Sequence, residues 1–166
     1  RSGSLSSAGG RPARDYRWLS HQLLSAASRA DGIREFVRDC LRNLGAFTAC
    51  DRLLLWVRQD AHGGAGWAFD HGSGALAYLG TQPMATEPPE SFDGGSAVES
   101  RLQLPLRFGS EEGGWLVLES REREFFTVTK RELYADIALT LGAAVAYQRV
   151  QAAQHERVKE LSCLYQ

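Results

Sequence analysis

A chain of 166 residues is long enough for one domain with a substantial core and too short for two comfortable ones. Its 43% hydrophobic and 23% charged residues place it among chains that fold, away from the compositions that stay disordered. Nineteen basic against twenty acidic residues leave a net charge of -1, so no positive field is available for a phosphate backbone or an anionic bilayer, and neither nucleic acid nor a membrane surface is an expected partner.

The longest apolar runs, residues 53–57 and 115–118, fall far short of the roughly 20 residues of a spanning helix. Three cysteines, Cys40, Cys50 and Cys163, show no disulfide spacing, and the chain opens without a signal-peptide pattern, so the cytoplasm is the expected compartment. Beginning at Arg1 and stopping inside a helical pattern at Gln166, the chain reads as a piece of a longer polypeptide.

In chain order, residues 1–11 are Ser- and Gly-rich, and a flexible leader is expected over residues 1–13. From about Pro12, Tyr16, Leu19, Leu23 and Ala27 recur at helical steps. Asp31 is the expected cap of a second helix whose apolar face is Ile33, Phe36, Val37, Cys40, Leu41 and Leu44, with Gly45 beyond it. The period then changes. Residues 52–58 read as a strand buried on both faces, and residues 67–71 as an antiparallel partner after a Gly-rich turn at 62–66. A third short strand is expected at 75–80, and the Pro- and Gly-rich stretch 81–95 as a long loop over one face.

Residues 101–108 alternate, with Leu102, Leu104, Leu106 and Phe108 on one side and Arg101, Gln103, Pro105 and Arg107 on the other; Pro105 points to an edge strand or a bulge. A turn at 109–114 leads to a partner strand at 115–120. The Thr-x-x-Glu sequence Thr129-Lys130-Arg131-Glu132 is expected to cap a final helix bearing Leu133, Ile137, Leu141, Ala144 and Val145. That helix meets no stop signal. Tyr147, Val150, Gln154, Arg157, Leu161 and Leu164 continue at three- and four-residue steps, the seam of a dimeric connector over 148–166, with a frayed tail as the other reading.

These residues carry a resemblance. Ser100-Arg101-Leu102-Gln103-Leu104-Pro105-Leu106, the Gly113-Gly114 turn, Trp115-Leu116-Val117-Leu118-Glu119-Ser120, Phe125-Phe126-Thr127, Glu132-Leu133 and Ile137-Ala138 resemble the second half of GAF domains. Asp51-Arg52-Leu53-Leu54-Leu55-Trp56 is similar to the first strand of that family, and the segment 156–165 to joints that precede a further GAF or kinase region in bacterial sensor proteins. The resemblance implies an α+β, GAF-like (profilin-like) fold over residues 14–147: a central antiparallel sheet with N- and C-terminal helices on one face and a loop-covered pocket on the other. It also implies a regulatory, non-enzymatic domain of a sensor histidine kinase in a two-component system, with its output domain in the same polypeptide.

In such a pocket Trp56, Arg101 and Gln103 are the expected lining, with Trp67, Phe69, His71 or Tyr78 as walls around a small-molecule ligand. A pocket filled by its own side chains is the competing reading, and a homodimer through the terminal helices, with Tyr147, Val150, Leu161 and Leu164 at the seam, is the competing function. Covalent bilin is not expected, because neither Cys40 nor Cys50 precedes a histidine, and the cyclic-nucleotide pattern of the family is not found. Haem and metal are not expected either, since His21, His62, His71 and His155 fall on separate elements. The cysteine pair of a methionine-sulfoxide reductase is missing.

Overall fold

The computed structural model describes residues 15–60, 63–83 and 98–165. Helix α1 spans Tyr16–Arg29 and α2 spans Ile33–Thr48; strands β1 (Arg52–Arg58), β2 (Gly63–Asp70) and β3 (Leu76–Pro83) follow. Strands β4 (Ser100–Phe108) and β5 (Glu111–Ser120) come next, and helix α3 (Val128–Leu164) ends the order. This is the order the sequence implied. The five strands form one sheet, β3-β2-β1-β5-β4, in which every neighbouring pair is antiparallel.

Strand β1 is central and buried along both faces, which is why its sequence shows no alternation. Leu53, Leu55 and Val57 enter the main core beneath the helices, whereas Leu54 and Trp56 join Ala68 and Val117 in a smaller cluster on the opposite face. Over the first face α2 lies on β1 and β2, α3 lies on β4 and β5, and α1 seats against both helices. Helical spacing supplies the buried stripes: Leu19, Leu23, Ala26 and Ala27 in α1, and Phe36, Val37, Cys40, Leu41 and Leu44 in α2. Burying each of the larger of these side chains contributes about 1.5–3 kcal/mol.

Several boundaries differ from the sequence reading, each for a local reason. Helix α1 starts at Tyr16, not near Pro12, because the Asp15 carboxylate accepts from the Trp18 backbone N–H and caps it. For α2 the cap position is Gly32, not Asp31, and no side chain caps it; the Asp31 backbone N–H donates to Glu35 Oε2 instead. The cap of α3 is Thr127, two residues before the expected box, its hydroxyl accepting from the Lys130 N–H at 3.2 Å. Strand β2 begins at Gly63, so the expected glycine turn is itself strand. A Cβ on Gly64 would strike the Val57 carbonyl and stand 2.8 Å from the Trp56 ring, so bare backbone is what lets β2 pair there. Strand β3 runs on to Pro83. Strand β5 begins at Glu111, which leaves Gly109 and Ser110 as the turn. The expected leader, and most of the expected loop at 81–95, lie outside the described residues.

Pro105 sits on an edge strand, and the β4–β5 register shifts between Leu106 and Arg107, so both expectations for that proline hold. Helix α3 crosses β4 at this irregularity. A Cβ on Gly142 would strike the Arg107 carbonyl oxygen and lie 2.9 Å from its nitrogen, and both neighbours are backbone that cannot turn aside. We expect Gly142→Ala to cost about 1–3 kcal/mol through overpacking, read as a lower urea midpoint by circular dichroism. An unchanged midpoint would mean that α3 lifts from β4 without cost.

Candidate functional site

The sheet face turned away from the helices takes alternate residues of each strand, and the registers align them in rows. One row runs Arg101, Glu119, Arg52, Asp70; the next Gln103, Val117, Leu54, Ala68, Ala77; the third Pro105, Trp115, Trp56, Gly66. Three of the expected lining residues, Trp56, Arg101 and Gln103, are therefore together on this face. Trp56 is only 2% exposed, and its indole N–H has no hydrogen-bond partner among the described residues. An unpaired buried donor is costly, and a ligand acceptor would relieve it.

The other four expected residues are elsewhere. Trp67 and Phe69 belong to the helix-side core, because pairing with Leu55 and Leu53 fixes their phase. His71 stands over α2, its Nδ1 2.8 Å from where a Cβ on Gly45 would lie. Tyr78, half exposed, packs on Trp67 at 5.4 Å between ring centroids, on the helix side of edge strand β3. Period two was read correctly within β2, but it had been assigned to the wrong face. Leu54 and Trp56 against Leu53 and Leu55 carry no polarity difference that would have decided it.

The residue that sequence reading missed is Glu119. It is 1% exposed, and its carboxylate pairs with Arg52 at 3.1 Å and with Arg101 at 3.5 Å. One acidic side chain thus ties central strand β1 to edge strand β4 through β5. Beside it a recess of about 160 Å³ is lined by Asp51, Arg52, Asp70, Val98, Glu119, Ser120 and Arg121. Asp51 Oδ2 accepts from the Arg121 backbone N–H at 2.7 Å, which pins the recess wall. The signal was present: Glu119 directly follows the apolar run 115–118 and is in phase with Trp115 and Val117.

The face therefore offers an aromatic indole donor, a charged row and a neutral amide, groups that can orient a small polar ligand. The thiols are differently placed. Burial pushes the Cys50 thiol up to about 11, with Thr48 as its hydrogen-bonding neighbour, and pushes Cys40 far higher, so neither is a thiolate at neutral pH. Among the described residues no group of three or more metal-ligating side chains occurs, and no helix is long and apolar enough to cross a membrane.

The frame, an antiparallel sheet whose described helices pack on one face, defines an α+β domain. No protein-family model and no curated protein matches the sequence. Among solved structures the chain is similar to the GAF domain of a protein named as a sensor histidine kinase of Pseudomonas syringae pv. tomato, at 21% identity and TM-score 0.50, over 93% of this chain and 99% of that one. It is also similar to the phycoerythrobilin-bound GAF domain of a cyanobacterial phytochrome (10% identity, TM-score 0.55, 83% and 98%). A third likeness is to the GAF domain of an Acinetobacter phosphoenolpyruvate-protein phosphotransferase (8%, 0.50, 81% and 95%). The chain has the GAF fold.

Two outcomes follow from these geometries. Glu119→Ala is expected to cost about 2 kcal/mol, below the 3–5 kcal/mol of a fully buried pair because both arginines are about a third exposed; urea denaturation measures it. For Cys50 the unfolded thiol releases its proton near 9.0 and the folded one near 11, so between these values the unfolded state binds fewer protons. This thiol's contribution is fully present below pH 9 and falls as pH rises towards 11. Cys50→Ser is expected to flatten the decline in denaturation midpoints across that window.

Proposed function

We propose that the chain is the sensory module of a signal-transduction protein, in which a small molecule on the Trp56, Arg101 and Gln103 face shifts β4 against α3, and α3 carries the shift to an output kinase domain in the same polypeptide. The observation that carries this reading is α3 itself, one unbroken helix of 37 residues. Its first half buries Tyr134, Ile137, Leu141, Ala144 and Val145 over the sheet; beyond Gln148 it leaves the core and presents Val150, Leu161 and Leu164 to solvent. Strand β4 is the physical link, with Arg101 and Gln103 on one side and Leu102, Leu104 and Leu106 under the helices on the other.

A ligand shifts such an equilibrium only by its difference in affinity for the two arrangements, so it must touch β4. Likeness to GAF domains, one of them from a protein named as a sensor histidine kinase, supports the regulatory reading. The free cysteines Cys40, Cys50 and Cys163 accord with a cytoplasmic location. Raised thiol pKa values favour a non-covalent ligand and weigh against cysteine-based sulfoxide reduction. Neither nucleic acid nor membrane is assigned as a partner.

A second reading, a homodimerisation module without a ligand, is favoured by the exposed Tyr147, Val150, Leu161 and Leu164 on α3. Both are tested on the same protein. Under the sensory reading, one or more members of a metabolite panel raise the melting temperature, by the equivalent of about 2.7 kcal/mol at a hundredfold excess over Kd, and Gln103→Trp abolishes the shift. Under the dimer reading, Leu161→Glu with Leu164→Glu converts a dimer to monomer in sedimentation equilibrium, and no compound has an effect.

A further inference from the structure

The buried stripe of α3 ends unexpectedly. Ile137, Leu141, Ala144 and Val145 are followed at the next helical step by Gln148, a polar side chain only 6% exposed. Its amide makes no hydrogen bond within the described residues, although it can donate and accept. Gln148 lines a cavity of about 890 Å³ at the root of the outgoing helix, between α3, the N-terminal end of α2 and the β4–β5 turn. This cavity lies on the helix side, away from the Trp56 face.

The remaining walls are mostly apolar: Ile33, Val57, Phe108, Ala146, Val150 and Ala153. Phe108 and Val150 are more than half exposed, which for an aromatic and a branched side chain leaves apolar surface uncovered. Three charges line it, Arg58, Arg149 and Glu111. Glu112, in an adjoining depression that shares all three, is paired with Arg107 at 3.8 Å. Arg58 spends its Nε–H on the Asp60 carbonyl at 3.1 Å, and Arg149 makes no ion pair among the described residues. The balance at the mouth is positive.

That balance selects the occupant. Residues 1–14 carry Arg1, Arg11 and Arg14 and no carboxylate, so their sequence offers no acid to match that balance. A second copy joined through Tyr147, Val150, Leu161 and Leu164 has no carboxylate among those seam residues to meet Arg149. The volume falls within the roughly 300–1,000 Å³ of small-molecule sites, which are likewise apolar with a few orienting polar groups. We propose that the cavity at the root of α3 is a second ligand site, taking an amphipathic organic acid whose apolar body lies against Phe108 and Val150, whose carboxylate meets Arg149, and whose polar edge is read by Gln148. Bound there, it ties α3 to the β4–β5 turn and to α2, and so holds the helix at the point where it leaves the core.

Octanoate and octylammonium, titrated into the full chain by calorimetry and by amide NMR, test the proposal. Octanoate is expected to bind one-to-one with shifts at Phe108, Gln148 and Val150, and octylammonium at least about tenfold more weakly. Arg149→Gln is expected to weaken octanoate about tenfold, and Arg123→Gln, an exposed arginine beyond the far end of β5, to leave it unchanged. Gln148→Leu is expected to weaken binding while the ligand-free melting temperature holds or rises, an outcome that a purely structural glutamine would not give. Equal binding of the cation, absence of saturable binding, or shifts confined to Trp56 and Gln103 would overturn the site. Groove shifts driven by protein concentration alone would overturn it too, in favour of a second copy as occupant.

Discussion

The structure depends on how closely α3 approaches β4. At Gly142 helix backbone meets strand backbone with no side chain between them, and it does so where the β4–β5 register slips by one residue. Packed interfaces of this kind change arrangement in discrete steps because they cannot be compressed continuously. A displacement of β4 would therefore meet the backbone of α3 directly at Gly142.

The opposite side of β4 belongs to a different balance of forces. Glu119 is nearly inaccessible and is held by two arginines from two strands, so the edge strand is fastened to the central strand by charge as well as by the ladder. A buried ion pair is weak evidence for stability, because desolvation offsets most of the attraction. It is better evidence for register: any slip of β4 on β5 separates Arg101 from Glu119 and leaves charge without compensation. The same arginine shares its sheet face with Gln103 and Trp56.

Most of the architecture was legible because it rests on periodicity. Leu102, Leu104 and Leu106 announce a strand with one dry face, and the spacing from Phe36 to Leu44 announces an amphipathic helix. The faces of β1 and β2 were not legible, since Leu53 through Val57 are apolar on both sides and nothing in the chain says which side the helices cover. Trp67 and Phe69 were misplaced for that reason alone. Caps were misjudged where two candidates lay close together: Thr127 and Thr129 are both plausible, and only the hydroxyl's reach to Lys130 decides. Glu119 was not singled out, because its partners Arg52 and Arg101 lie on two other strands, far away in sequence.

Helix α3 is about 55 Å long at 1.5 Å per residue, and its two halves are stabilised differently. Up to Gln148 the sheet supplies the packing. Past it, every residue from Ala152 to Tyr165 is exposed, and an isolated helix of that length is marginal in water because nucleation is costly and propagation barely favourable. The second half must therefore draw its order from the first half, from a partner on its apolar residues, or from both. Each source couples the helix to an event elsewhere, the first to the sheet and the second to assembly. A tail of marginal intrinsic stability, rooted in a rigid core, makes the state of that core readable at a distance, because a small change in how firmly the root is held alters the order of everything beyond it.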